Sequence, residues 1–146
     1  MPDSAAIQSN SLEDKDRDLA VPPPTLAKTI GRCLAGWLAG YLISAVSSIL
    51  LFTLGRISPH QSATTAVAWI TAIYGIVFAV IGAVVGASFS RKNAIGIGAS
   101  IALTIGVVAL WSWYATPADA HWTHMIAIFL MAPAAQFGAL FRRVDY

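Results

Sequence analysis

Three histidines and one aspartate are the residues whose types and spacing come closest to a chemical site. His121 and His124 stand three positions apart, so they share one face of a helix, and Asp119 lies just before them. Imidazole and carboxylate groups are typical Zn²⁺ ligands, and the neighbouring Met125 sulfur favours copper. The pattern is too small to assign a metal. His60, Asp119, His121 and His124 are therefore candidate ligands, and anchoring by amphipathic side chains is the alternative role.

Other residues that could do chemistry are few. Gln136 interrupts an apolar run and must hydrogen-bond a partner there, for which Ser44, Ser47 or Thr104 are available. Pro133, one turn earlier, predicts a kink in its helix. The sequence has no Ser-His-Asp order, phosphate-binding glycine loop or basic nucleic-acid-binding face. It therefore predicts no enzymatic activity, no catalytic or cofactor-binding residue and no nucleic-acid partner.

The elements that carry these residues are four long apolar segments. Hydrophobic residues make up 57% and charged residues 11% of the chain, whereas a soluble domain carries about 25% charged residues. The windows without Asp, Glu, Lys or Arg are 33–55, 57–90, 93–118 and 120–141. Each is longer than the ~20 residues that a helix needs to cross a bilayer, and none alternates as a barrel strand does. The predicted spans are 30–54, 66–89, 94–115 and 122–141, an all-α integral membrane bundle.

The basic residues predict the orientation of these helices. With four spans, Arg56 alone among the Lys and Arg residues falls on one side of the membrane. The others fall on the opposite side: Lys15, Arg17, Lys28, Arg32, Arg91, Lys92, Arg142 and Arg143. Positively charged segments stay cytoplasmic, so we expect an antiparallel up-down bundle with both termini in the cytoplasm. Aromatic residues collect at the predicted outer ends, as in an interfacial belt: Trp69, Trp111, Trp113, Tyr114 and Trp122.

Residues 1–29 differ in composition from the rest of the chain. Positions 13–18 are all charged, and three prolines follow at 22–24. A segment of this kind lacks the apolar surface that would order it. We expect a disordered cytoplasmic tail, serving as a spacer or as a docking segment, followed by the membrane domain at 30–146.

Small residues predict where the helices touch. Gly36 and Gly40 form a GxxxG motif in the first helix, and a second motif lies in the second helix. Small residues in the second helix recur at alternating steps of three and four, which is a packing seam: Gly75, Ala79, Gly82 and Gly86. The motifs fit packing within one chain or dimerisation. The short connection at 90–93 predicts that the second and third helices form a tight hairpin.

The ends of the second and fourth helices carry a resemblance. Residues 82–91 read Gly-Ala-Val-Val-Gly-Ala-x-Phe-x-Arg, and residues 133–143 read Pro-Ala-Ala-x-x-Gly-Ala-x-Phe-Arg-Arg. A four-helix chain with this layout resembles small bacterial inner-membrane proteins, over residues 30–143. The resemblance implies a multi-pass protein of the bacterial plasma membrane. No activity is assigned to that group, so none is implied for this chain.

Two functional classes are compatible with these features. The first is a non-enzymatic structural or accessory membrane component, whose partners are the lipid bilayer and another membrane protein or a second copy. The alternative is a small oligomeric channel or transporter for a solute or ion, in which Thr104, Ser112 or Gln136 faces water. Every acidic residue lies outside the predicted spans, which disfavours a proton-coupled exporter.

Overall fold

The computed structural model describes residues 25–142, and its regular elements in that range are helices. Helix α1 spans Leu26–Leu54, α2 spans Thr65–Ser88 and α3 spans Ala94–Ala115, the last preceded by a 3-10 turn at Arg91–Asn93. Helix α4 runs from Trp122 to Phe141 in three consecutive pieces: Trp122–Ile126, Ala127–Met131 and Ala132–Phe141. All four are long and apolar enough to cross a membrane, which confirms the predicted all-helical class.

The helix boundaries differ from the predicted ones mainly at the start of α1. This helix begins at Leu26, whereas the sequence predicted a boundary at Ile30. The proline run ends at position 24, so Thr25 can act as the N-cap residue. Lys28 then lies within the first turn of the helix. The predicted disordered tail lies, for residues 1–24, outside the described residues.

Helices α1 and α2 pack against each other over an extensive contact. Gly40 faces Gly82 so closely that a Cβ atom added at Gly40 would lie 2.6 Å from the Gly82 carbonyl oxygen. A Cβ atom added at Gly86 would likewise lie 2.6 Å from the carbonyl oxygen of Gly36. Both GxxxG motifs therefore bring the backbones of two helices of the same chain together.

Helix α4 packs against the other face of the α2 seam. Gly75 meets the sulfur of Met131, which would lie 2.9 Å from an added Cβ atom, and Ala79 is completely buried. Gly138 approaches α2 so closely that its added Cβ atom would lie 2.7 Å from the Val80 carbonyl oxygen. The core between the helices is therefore made mostly of alanine, with isoleucines from α3: Ile97, Ile101 and Ile105.

Around the bundle the helices follow the order α1, α2, α4, α3. The extensive contacts join α1 to α2, α2 to α4, and α4 to α3. Helices α2 and α3 follow each other in the chain but touch less extensively than α2 and α4 do. They lie across the shorter diagonal, so the predicted tight hairpin is not the closest pair. Between α1 and α4, across the longer diagonal, the described residues make no extensive contact.

Pro133 coincides with an irregular stretch of α4, as its position in the sequence predicted. Residues Ala127–Met131 form a π-helical turn, in which the Ala132 N–H donates to the Ala127 carbonyl five residues earlier. Proline has no N–H group and crowds the preceding turn, so the regular hydrogen-bond ladder is interrupted there. The wider turn absorbs that interruption just before the proline.

The α1–α2 contact predicts that an alanine substitution at Gly40 destabilises the bundle, whereas the same substitution at Gly106, outside the contact, does not. Gly40→Ala would force the two backbones apart, and overpacking of this kind costs about 1–3 kcal/mol. Gly106→Ala is the matched control, because nothing lies within 4 Å of the added Cβ atom. We expect Gly40→Ala to lower the thermal unfolding temperature in detergent, with Gly106→Ala unchanged or slightly more stable. Equal effects of the two changes would contradict the packing described here.

Candidate functional site

Two connecting segments, residues 55–64 and 116–121, meet at one end of the bundle, which we call the histidine end. Helix α1 ends there at Leu54, and Arg56 just after it has a φ of 50°, a left-handed conformation that non-glycine residues adopt uncommonly. Hydrogen bonds join the first segment to the second and to the start of α4: Ala120 N–H to the His60 carbonyl at 3.1 Å, Trp122 Nε1–H to the Gln61 carbonyl at 2.8 Å, and Thr123 Oγ1–H to the Pro59 carbonyl at 3.3 Å. The two segments therefore form one cap.

The structure brings all four candidate ligands of the sequence together at this end. His60 Nδ1 lies 3.2 Å from Asp119 Oδ2, and both side chains are partly exposed. His121 stacks on the indole of Trp113, with ring centroids 4.6 Å apart and an angle of 12° between the planes. The His124 ring centroid lies 5.5 Å from that of His121 and 6.5 Å from that of His60. Trp113 is the member of this cluster that the metal hypothesis missed.

The metal hypothesis gains no support from this arrangement. Within residues 25–142, no group of three or more His, Cys, Asp or Glu side chains is placed to hold one ion. His60 is paired with Asp119, His121 lies flat against Trp113, and His124 is bonded elsewhere. A metal at these residues remains a prediction of the sequence. The contacts that are present are those of a packed aromatic and polar cap.

A cavity of about 260 Å³ lies on the bundle side of the histidine end. It occupies the gap between α1 and α4, and side chains of α2 and α3 complete its lining. Most of the lining is apolar, and a smaller number of polar side chains reach it: Tyr41, Ser44, Ser48, Thr71, Tyr74, Ser112, Thr123 and His124. An apolar cavity with a few polar groups is the usual form of a small-molecule site. This cavity is therefore the candidate functional site.

His124 and Ser112 form the polar side of the cavity. His124 is only 5% exposed, and its Nε2 atom lies 3.0 Å from Ser112 Oγ. His124 Nδ1 has no hydrogen-bond partner among the described residues, and the same holds for Oγ1 of Thr71, which is 6% exposed. Buried polar atoms are nearly always bonded. These two polar atoms are enclosed within the bundle and have no hydrogen-bond partner among the described residues.

The Ser112–His124 distance is also that of a serine nucleophile and its base. A catalytic serine of this kind normally needs a third group that orients the histidine, and donors for a developing oxyanion. Asp119, the nearest carboxylate, bonds His60 instead of His124. Among the described side chains the pair has no orienting group, so its geometry is that of a polar contact within the bundle.

Gln136 and Thr104 lie away from the cavity. The buried Oε1 atom of Gln136 has no hydrogen-bond partner among the described residues and lies 3.4 Å from a Cβ atom added at Gly98. Thr104 accepts a hydrogen bond from Trp37 Nε1 at 3.0 Å and donates to the Ser100 carbonyl at 2.8 Å. The expectation that Gln136 bonds Ser44, Ser47 or Thr104 is therefore wrong, because these hydroxyls bond other groups.

Comparison of the chain with protein-family models, curated proteins and solved structures finds no match. The class of this protein is therefore described from its fold and its cavity. They define a helical protein with four membrane-span-capable helices and a small cavity under a histidine-rich cap.

Because the Trp122 indole N–H bonds the Gln61 carbonyl, we expect this bond to stabilise the cap. Trp122→Phe keeps an aromatic ring but removes the donor, worth about 1 kcal/mol net. We expect amide hydrogen exchange in residues 55–64 to accelerate about fivefold. Trp111→Phe is the matched control, because Trp111 is 76% exposed on α3. The same exchange rate in both variants would show that this bond does not hold the cap.

Proposed function

We propose that this chain is a multi-pass protein of the bacterial plasma membrane, a non-enzymatic structural or accessory component. The four span-capable helices support the membrane setting. Large apolar side chains are exposed on every helix, for example Leu38 at 50%, Ile73 at 59%, Leu103 at 69% and Phe137 at 64%. In water such a surface would be unfavourable, whereas lipid accommodates it. The bacterial setting rests on the resemblance in the sequence.

The proposed topology is antiparallel, up and down. Contacts between α1 and α2 support it, because the residue numbers run in opposite directions along the pair. Gly36 faces Gly86 and Gly40 faces Gly82, and one turn further along α1 the Ser44 hydroxyl donates to the Phe78 carbonyl at 3.4 Å. Short connections between successive helices are consistent with the same alternation.

The proposed orientation places both termini in the cytoplasm and the histidine end outside. Arg56 is the one Lys or Arg residue in the two connecting segments of the histidine end. The opposite helix ends carry Lys28, Arg32, Arg91, Lys92 and Arg142. Positive charge remains on the cytoplasmic side. Exposed aromatic side chains near the histidine end fit an outer interfacial belt: Trp69, Trp111 and Tyr114.

Labelling of single cysteines tests this orientation. Cys33 is the one cysteine of the chain, so a Cys33→Ser background allows Ser62→Cys and Lys92→Cys to be labelled separately. We expect a membrane-impermeant maleimide to label Ser62→Cys in intact bacterial cells, and Lys92→Cys only after permeabilisation. The reverse pattern would invert the proposed topology, and labelling of both in intact cells would reject it.

Separation of the intramembrane polar groups is the observation that favours the accessory role over a channel. Thr104 lines a groove between α1 and α3 beside Trp37. Ser112 lines the cavity at the histidine end, and Gln136 is buried beside Gly98. A pore, whether through one copy or between copies, would need such groups along a common path. These three have different surroundings, while Gly and Ala residues bring the helices into close contact.

The Gln136→Leu variant distinguishes the two roles. In proteoliposomes, we expect no protein-dependent K⁺ or Cl⁻ efflux from either the wild type or the variant, and a monomeric mass for both in detergent. Phe137→Leu is the control at the adjacent, lipid-exposed position. Efflux by a closed oligomer that disappears in Gln136→Leu but persists in Phe137→Leu would establish the channel instead.

A further inference from the structure

A groove of about 650 Å³ lies on the surface of the bundle between α1 and α3. It begins near Thr29 and Asn93, at the end of the bundle opposite the histidine end, and reaches Trp37 and Thr104. The Trp37 indole N–H donates to Thr104 Oγ1 at 3.0 Å, so a hydrogen bond joins the two helices at the inner end of the groove. Helices α1 and α3 touch less extensively than α1 and α2 do, which leaves this side of the bundle open.

The length of the groove matches the depth of one membrane leaflet. At 1.5 Å per residue, the rise along α3 from Asn93 to Thr104 is about 16 Å. The hydrocarbon core of a bilayer is about 30 Å thick, so one leaflet contributes about 15 Å. Beyond Thr104, α3 exposes the large side chains of Val107 and Trp111. The groove therefore fits a lipid chain from one leaflet, whereas a partner helix that crosses the membrane is about twice as long.

The walls of the groove suit a hydrocarbon chain. Ile30 of α1 and Leu103 of α3 line it and are exposed. The hydroxyl groups on the α3 side already have partners, because Ser100 donates to the Gly96 carbonyl at 2.9 Å and Thr104 donates to the Ser100 carbonyl at 2.8 Å. Bonds within one helix satisfy such groups without a ligand. A methylene chain therefore packs there without leaving these hydroxyls unbonded.

A smaller recess of about 220 Å³ adjoins the groove at the start of α3. Asn93 and Gly96 line both spaces. The basic residues Arg91 and Lys92 line the recess, and both are exposed. The one acidic residue of the described chain, Asp119, lies at the histidine end, so no carboxylate of that part offsets these charges. Basic pockets beside membrane helices bind phospholipid headgroups.

We propose that the groove and the recess together bind one anionic phospholipid. Its acyl chain lies along the groove between α1 and α3, and its phosphate headgroup lies at Arg91 and Lys92. The inference rests on the proposed membrane setting and adds a lipid site to the accessory role. Failure of lipid binding would leave the labelling of Ser62→Cys and Lys92→Cys as predicted, so the site and the topology are tested separately.

Native mass spectrometry of the full chain, purified in a neutral detergent, tests the headgroup contact. We expect palmitoyl-oleoyl-phosphatidylglycerol to form an adduct that saturates at one lipid per chain, and phosphatidylcholine with the same chains to bind about tenfold more weakly. Arg91→Gln/Lys92→Gln should raise the Kd for phosphatidylglycerol about twentyfold. Lys28→Gln/Arg32→Gln is the matched control, because it removes the same charge at the same end from residues that line neither space. It should raise the Kd less than about threefold.

Two leucine substitutions on α3 test the acyl-chain contact. Gly96→Leu fills the groove, and nothing lies within 4 Å of the Cβ atom that it adds, so the helix packing is retained. Gly106→Leu is the matched control, because its added Cβ atom is equally unobstructed and lies outside the groove. We expect the adduct to be lost in Gly96→Leu and kept in Gly106→Leu. Should Gly96→Leu fail to fold, by helix content and gel filtration, the two charge variants decide.

Equal affinity for the two phospholipids, an equal Kd in the two charge variants, or an undiminished adduct in folded Gly96→Leu would overturn the proposal. Two other occupants have distinct signatures. A dimer that Gly96→Leu dissociates would show that a second copy fills the groove instead. An adduct that forms only in the Glu13→Gln/Asp14→Asn/Asp16→Asn/Asp18→Asn variant would show that the chain's own acidic segment occupies the recess instead.

Discussion

The close approach of α1 and α2 is the contact on which the rest of the bundle depends. Carbonyl oxygens of one helix occupy the space that a side chain would take on the other, at Gly36, Gly40, Gly82 and Gly86. In lipid no hydrophobic drive holds helices together, so dispersion between closely spaced backbones has to do so. Gly138 brings α4 against the opposite face of α2 in the same manner. Helix α2 is therefore the central element to which its neighbours are fitted.

That constraint acts unevenly along the bundle. Toward the far end α1 presents glycine to α2, whereas toward the histidine end Ser44, Ser48 and Phe52 of α1 line the cavity. The cavity occupies the gap between α1 and α4 at that end. The cap of hydrogen-bonded connecting segments closes over the same end. Cavity and cap therefore lie at the same end of the bundle, away from the glycine contacts.

Polar groups inside the bundle are bonded mainly over short distances. Ser47 donates to the Ser44 carbonyl at 2.9 Å, and Thr104 donates to the Ser100 carbonyl at 2.8 Å, each within one helix. Bonds of this kind satisfy a hydroxyl without a partner from another helix, which removes the cost of burying it. His124 differs, because its Nε2 atom meets Ser112 Oγ on another helix and its Nδ1 atom has no partner among the described residues.

The sequence alone determined the number of helices, nearly all of their boundaries and the four candidate ligands that meet at the histidine end. A membrane span is a sum of side-chain hydropathies over one continuous segment, so neighbouring residues decide it. The tertiary structure decided the order α1, α2, α4, α3, the Trp113–His121 stack, the Ser112–His124 contact and the isolation of Gln136. It also showed that α1 starts at Leu26, whereas the sequence predicted a start at Ile30. Each of these, apart from the start of α1, depends on which faces of separate helices meet. Pairwise packing of that kind has no local signal, because the same glycine seam is compatible with several neighbours.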